Sequence, residues 1–185
     1  MGNVSIDLGL ENIWKSWFKF KKGKIKTLEL DRFQYFLEKN INELWRDLNS
    51  VDYRHGGYQK FTVNDNKRRE ISVAAIRDRV VHRLLYEYLV DIFDKNFIED
   101  VWSCRKNKGL IGAIEKTQEF LEKYPRSFVW RSDVRKFFDS VDHECIKNIL
   151  TRTVSDPQAV NLIEKIINSY SVSSGFSISE SGGGA

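Results

Sequence analysis

Cysteine and proline are nearly missing from this chain, with two of each in 185 residues. Cys104 and Cys145 stand apart with no Cys-x-x-Cys spacing, and the only histidines are His55, His82 and His143. A structural zinc site needs about four clustered ligands, so one is excluded. Two isolated thiols fit a reducing compartment. No apolar run approaches the length that spans a bilayer, and no signal-peptide pattern opens the chain. The start "MGNVSI" has Ile6 where N-myristoylation requires Ser or Thr. These absences predict a cytoplasmic protein without membrane attachment.

Hydrophobic residues make up 41% of the chain and aromatics 13%, enough to build the core of one ordinary domain. The net charge is only +4, but it is unevenly spread. Residues 15–26, "KSWFKFKKGKIK", hold six lysines and no acid. "KRRE" and "IRDRVVHR", within 67–83, hold six Lys and Arg, and "RKNK" at 105–108 adds three. One such patch is commonly a solvated face; three favour a polyanionic partner, most simply nucleic acid.

The apolar spacing predicts helices over 11–50, broken at "KKGK", with Phe33, Phe36, Leu37, Ile41, Leu44 and Leu48 at intervals of three and four and Asp31 as an early cap. "YRHGGYQKFTVNDNKRREISVAAI" predicts a hairpin around "NDNK". "RDRVVHRLLYEYLVDIFDKNF" and "KGLIGAIEKTQEFLEKY" predict two more helices, and "SFVWRSD", 127–133, a strand. Two further helices follow, capped by Asp142 and by Asp156 with Pro157. From Ser171 the Ser/Gly-rich composition reads as a loop interrupted part-way. The expected class is α+β.

The segment with the most chemistry is "DVRKFFDSVDH", residues 133–143. A carboxylate at the end of a strand is held rigidly beside a cleft, and Mg²⁺ is bound by one or two such groups with water and phosphates. Two such ions serve phosphoryl transfer. Asp139 and Asp142 read as turn and cap residues; spacing alone leaves Asp133 open between metal ligand and surface residue.

This segment resembles the first catalytic motif in the palm of bacterial reverse transcriptases of the retron, group II intron and diversity-generating types. Residues 53–97 resemble their fingers block, "WSCRKNKG" their Arg/Lys-Gly turn, and "GAIEKTQEFL" the helix after it. The resemblance covers roughly 12–170, with the motifs in the family's order. It implies an N-terminal helical extension (1–55), helix-rich fingers with a β-hairpin (56–127), the beginning of a palm (128–170) and a tail (171–185). It implies template-directed dNTP addition with Mg²⁺, or Mn²⁺, on an RNA template and DNA primer. An accessory protein is left open. Asp133 would be the metal-binding catalytic carboxylate and the carbonyl of Val134 a second ligand. Phe138 would sit beneath the incoming sugar, where a ring rejects a 2′-hydroxyl. Lys67, Arg69 and Arg105 would grip the nucleotide, and Arg77, Arg79 and Lys108 would touch nucleic acid, although Arg79 could equally be a structural partner of Asp78.

The family's Tyr-x-Asp-Asp hairpin, and the Gly-Leu-Pro-like segment before it, are absent from these 185 residues. With one carboxylate set the chain is expected to be inactive by itself, and the strand at 128–133 to leave an apolar edge open. The competing readings are a non-catalytic nucleic-acid-binding module, a metal nuclease built on Asp133, Asp142 and His143, and a structural helical partner.

Overall fold

The computed structural model describes residues 4–64, 68–135 and 137–170, apart from the side chains of 138 and 139. It is a helix-rich α+β protein. Three helices, α1 (Leu10–Lys21), α2 (Leu28–Tyr35) and α3 (Leu37–Asn49), precede an antiparallel hairpin of β1 (Tyr58–Asn64) and β2 (Arg68–Ala74). Then come α4 (Ile76–Phe93), a short 3₁₀ turn, α5 (Leu110–Lys123), α6 (Phe137–Ser140), α7 (His143–Thr151) and α8 (Pro157–Ser169). No helix of the described residues is long and apolar enough to cross a membrane.

The chain divides into two compact units, the larger formed by residues up to Tyr86 with those from Val141 onward, the smaller by Glu87–Ser140. The larger has the core. Ile13, Trp17 and Phe20 of α1 and Ile41, Leu44 and Leu48 of α3 are buried at the three-and-four spacing that makes one helix face. Val80, Val81 and Leu84 of α4, Val154, and Ala159, Leu162 and Ile163 of α8 are buried as well. Removing each such side chain from water stabilises the fold by about 1.5–3 kcal/mol.

Polar ties close this unit between distant parts of the chain. Asp156 caps α8 by accepting from the Gln158 amide at 2.8 Å, and its other oxygen accepts from the Ile6 amide at 2.7 Å. Lys165 of α8 donates to the Val51 carbonyl at 2.7 Å. Glu29 of α2 accepts from the Ile76 amide at 3.1 Å, which satisfies a donor that the first turn of α4 leaves open.

The caps at Asp142 and Asp156 and the hairpin agree with the sequence reading. The second helix does not, because it breaks at Phe36 into α2 and α3. Nor is Asp31 its cap: the Thr27 hydroxyl accepts from the Leu30 amide and so fills that role. The strand expected over 127–133 is irregular chain. A β-prone run becomes a strand only when a neighbour pairs with it. Among the described residues, β1 and β2 pair with each other and 127–133 has no such neighbour. Its apolar residues stand in solvent, Phe128 fully and Trp130 at 87%.

Candidate functional site

The hairpin projects from the larger unit, and its burial rises toward its root. All of β1 beyond Tyr58 is exposed, whereas β2 passes from exposed Arg68–Glu70 to buried Ala74. The register sets Phe61 opposite Ile71 and Val63 opposite Arg69. Because side chains alternate, these four share one face, and Lys60, Thr62, Glu70 and Ser72 share the other.

Asp78, in the first turn of α4 and 2% exposed, organises the root. Its carboxylate accepts from the Tyr53 hydroxyl at 2.9 Å and from the Gly56 amide at 3.0 Å, with the Arg77 guanidinium 3.5 Å away. A buried carboxylate needs donors of this kind, and hydrogen bonds to a charged group contribute about 1.5–3 kcal/mol. Glycine suits position 56, since a Cβ would lie 2.9 Å from the Asp78 carboxylate and force that contact to shift. Burial, reinforced by the adjacent carboxylate, pushes the Tyr53 phenol far up, so it remains a donor.

A second tie is a histidine pair. The Nε2 atoms of His55 and His82 are 2.9 Å apart, and His55 Nδ1 lies 2.6 Å from the Gly56 carbonyl. The carbonyl accepts, so Nδ1 carries a proton; neutral His55 then accepts at Nε2 and His82 donates. Burial, then repulsion from His55 should that ring become charged, pulls the His82 imidazole down, which favours a neutral His82. Tyr58, the first residue of β1, stacks on His55 and meets Tyr170 edge-on. Three contacts thus hold the hairpin at its base, and β1 beyond Tyr58 is exposed.

The residues singled out from sequence take different places. Lys67 lies outside the described residues, and Arg69 is exposed on β2. Arg77 bonds Asp47 at 2.5 Å and the Arg54 carbonyl at 3.3 Å and lies over the Tyr53 ring. Arg77, not Arg79, is therefore the neighbour of Asp78; Arg79 covers the Phe20 ring.

In the smaller unit Arg105 grips both Asp94 oxygens, at 2.7 and 3.2 Å, and donates to the Asp94 and Ile98 carbonyls. That contact holds the Asp94 carboxyl below its ordinary range. Lys108 bonds Glu99 at 2.8 Å and covers the Trp102 ring, and it lowers the Glu99 carboxyl in the same way. Asp133 and Val134 are exposed on irregular chain, and Phe138 falls on α6 with its side chain outside the described atoms.

No cluster of three or more His, Cys, Asp or Glu that could hold a metal ion occurs among the described residues. Asp133 with the Val134 carbonyl is one carboxylate's worth of ligation, which does not fit a two-metal centre without further carboxylates. Asp142, a member of the nuclease reading, is engaged in capping α7 through the Cys145 amide at 2.8 Å.

The sequence reading missed the Asp78 hub and the histidine pair. The available signal was spacing: Asp78 and His82, four apart, share a face of a helix that is otherwise apolar there.

No family model matches the chain. Distant similarity connects it to the putative COX1/OXI3 intron 1 protein of Saccharomyces cerevisiae, 28% identical over 129 residues. The putative COX1/OXI3 intron 2 protein of the same yeast is 22% identical over 129 residues. Protein YkfC of Escherichia coli is 24% identical over 107 residues. These matches take in 69%, 69% and 56% of this chain but 15%, 15% and 28% of the respective relatives. The chain thus spans a small part of the proteins it is similar to.

Proposed function

We infer that the chain is the nucleic-acid-engaging amino-terminal part of a reverse-transcriptase-related protein, of the kind encoded by introns and related elements. The observation that carries this is the exposed hairpin at 58–74, rooted on Asp78 and lying within the block whose sequence resembles reverse-transcriptase fingers. The similarity to two putative intron proteins over 129 residues supports the same reading. In it Lys67 and Arg69 grip the nucleotide triphosphate, Phe138 selects the sugar, and Arg77, Arg79, Arg105 and Lys108 serve the nucleic acid or the triphosphate directly or by shaping their own elements. Asp133 contributes one carboxylate to a Mg²⁺ or Mn²⁺ site that other carboxylates complete. RNA template, DNA primer and dNTP are the partners. The compartment is the cytoplasm.

A second reading is a binding module without chemistry, favoured by the absence of a carboxylate cluster among the described residues. Primer extension separates activity from binding. The purified chain with RNA template, DNA primer, dNTPs and Mg²⁺ is expected to bind with a steep salt dependence and to add no nucleotide. Asp133→Asn is expected to bind as the parent does. Extension that vanishes in Asp133→Asn would show a complete active site in this chain and overturn the inactivity. No binding to primer-template at any salt would sink both readings.

A further inference from the structure

Where β2 hands over to α4, a hollow of about 300 Å³ lies between α2, the first turn of α3 and residues 75–77. Its size suits a single nucleobase, at the small end of ligand pockets. Glu29, Arg32, Phe33 and Phe36 line it, and their three-and-four spacing sets them on one face. The helix break at Phe36 matters here. Its ring is 49% exposed and meets Tyr35 edge-on with centroids 4.7 Å apart. Phe33 leans instead on buried Trp17, 5.1 Å between centroids.

The polar groups of the lining have spare capacity of a definite kind. One Glu29 oxygen accepts from the Ile76 amide at 3.1 Å, and the other has no partner among the described residues. The Asn40 side-chain nitrogen donates to the Phe33 carbonyl at 2.9 Å, which leaves its side-chain oxygen as an open acceptor. Arg77 is engaged by Asp47 and Asp78. The Arg32 guanidinium has neither an ion pair nor a hydrogen bond among the described residues. The hollow therefore offers open acceptors at Glu29 and Asn40, open donors at Arg32, and the Phe36 ring.

We propose that this hollow binds a guanine base of single-stranded RNA. Of the four RNA bases, only guanine sets two donors, N1–H and the N2 amino group, side by side with an acceptor, O6. The donors go to Glu29 and Asn40, O6 accepts from Arg32, and the base stacks on Phe36. Adenine and cytosine bring one amino group each and uracil one N–H, so each leaves an acceptor of the hollow unmet, and that is what discriminates. The proposal rests on the nucleic-acid reading above and adds a base preference to it. A free guanine nucleotide presents the same edge. The strand is preferred because Ala75 and Ile76 follow directly on β2, so the hollow adjoins the hairpin to which nucleic acid is assigned.

The test is fluorescence anisotropy of the full chain with labelled 10-nucleotide RNA strands: oligouridylate, and the same strand with one central guanosine or inosine. The guanosine strand is expected to bind about fivefold or more tightly than oligouridylate. The inosine strand, which lacks only the N2 amino group, should fall between them. Glu29→Gln keeps an oxygen for the Ile76 amide but turns a donor toward the base. It is expected to abolish the guanosine preference and leave oligouridylate binding unchanged. Phe36→Ala is expected to weaken the guanosine strand about fivefold. Arg32→Ala removes an exposed side chain with no partner to lose among the described residues, so it keeps the test decisive if Phe36→Ala unfolds; it should shrink the preference. Equal Kd for the three strands, or a preference that survives Glu29→Gln and Arg32→Ala, would overturn the guanine site while RNA binding itself upholds the nucleic-acid reading. No binding of any strand would sink both. GMP that binds as tightly as the guanosine strand would assign the hollow to a free nucleotide and overturn the strand proposal.

Discussion

In the larger unit Ile13, Trp17, Ile41, Leu44 and Tyr53 are shut away from water, whereas in the smaller one Leu110, Ile111, Phe128 and Trp130 stand in it. The residue types are the same, and α5 is amphipathic in sequence as α3 is, though less strongly. The difference is in partners. α1 and α2 pack on α3, and α7 on α8, but α5 has no buried residue. Tyr88 is the only buried hydrophobic among the described residues of 87–140. Polar pairs such as Arg105–Asp94 and Lys108–Glu99 shape the smaller unit, and ion pairs with a solvent-facing carboxylate stabilise a fold weakly. An apolar stripe shows that a face can be buried. It does not show what buries it.

The largest expected effect breaks the contrast at its strongest point. Trp17→Ala should lower the unfolding free energy by about 3–5 kcal/mol, while Ile111→Ala should change it by about 0.5 kcal/mol or less. Urea titrations followed by far-UV circular dichroism measure both. An Ile111→Ala cost comparable to that of Trp17→Ala would mean that α5 is covered in solution, and the contrast would collapse. Amide exchange sharpens it further, because α5 should exchange by local opening long before α1, α3 and α8.

The next effect compares a fully buried carboxylate with a partly exposed one. Asp78→Ala orphans the Tyr53 hydroxyl and the Gly56 amide and should cost about 3 kcal/mol. Asp94→Ala removes a partly exposed carboxylate and leaves Arg105 its bonds to the main-chain carbonyls at 94 and 98, so it should lower the urea midpoint far less. Equal midpoints for the two variants would show that the Asp78 hub does not hold the hairpin root.

Much of the larger unit was legible in the sequence because its signals are local. Helix periodicity, the Asp142 and Asp156 caps and the two strands around residues 65–67 depend on neighbours within a few positions. The failures came where distant chain decides. Phe36 lies within the expected periodic run, yet the chain breaks there, and 127–133 is β-prone but unpaired. Asp78 was invisible as a hub because its donors Tyr53 and Gly56 lie 25 and 22 positions away. The Lys24–Phe20–Arg79 cluster likewise joins two basic stretches that the sequence presents as separate patches. For the candidate site, residue types and their order were readable. Which cations are already paired within the chain was not.

The smallest expected effect concerns pH and distinguishes the units by the window in which each responds. His82 is held below its ordinary range by burial and by His55, with Arg79 adding to the effect and Asp78 opposing it. A depressed histidine favours the folded state while neutral, so its contribution is complete above about pH 6.5 and is lost as pH falls through the folded value. The lowered carboxyls of Asp94 and Glu99, in the smaller unit, contribute above their ordinary values near 3.8 and 4.5 and lose that contribution only at lower pH. Between pH 7 and 5 the urea midpoint should therefore fall modestly through the larger unit's histidine pair. His82→Gln should flatten that fall, because a neutral amide has no proton to gain. A wild-type midpoint constant over this window would show that protonation does not disturb the His55–His82 contact, leaving the Asp78 carboxylate and the Tyr58 stack to hold the hairpin root.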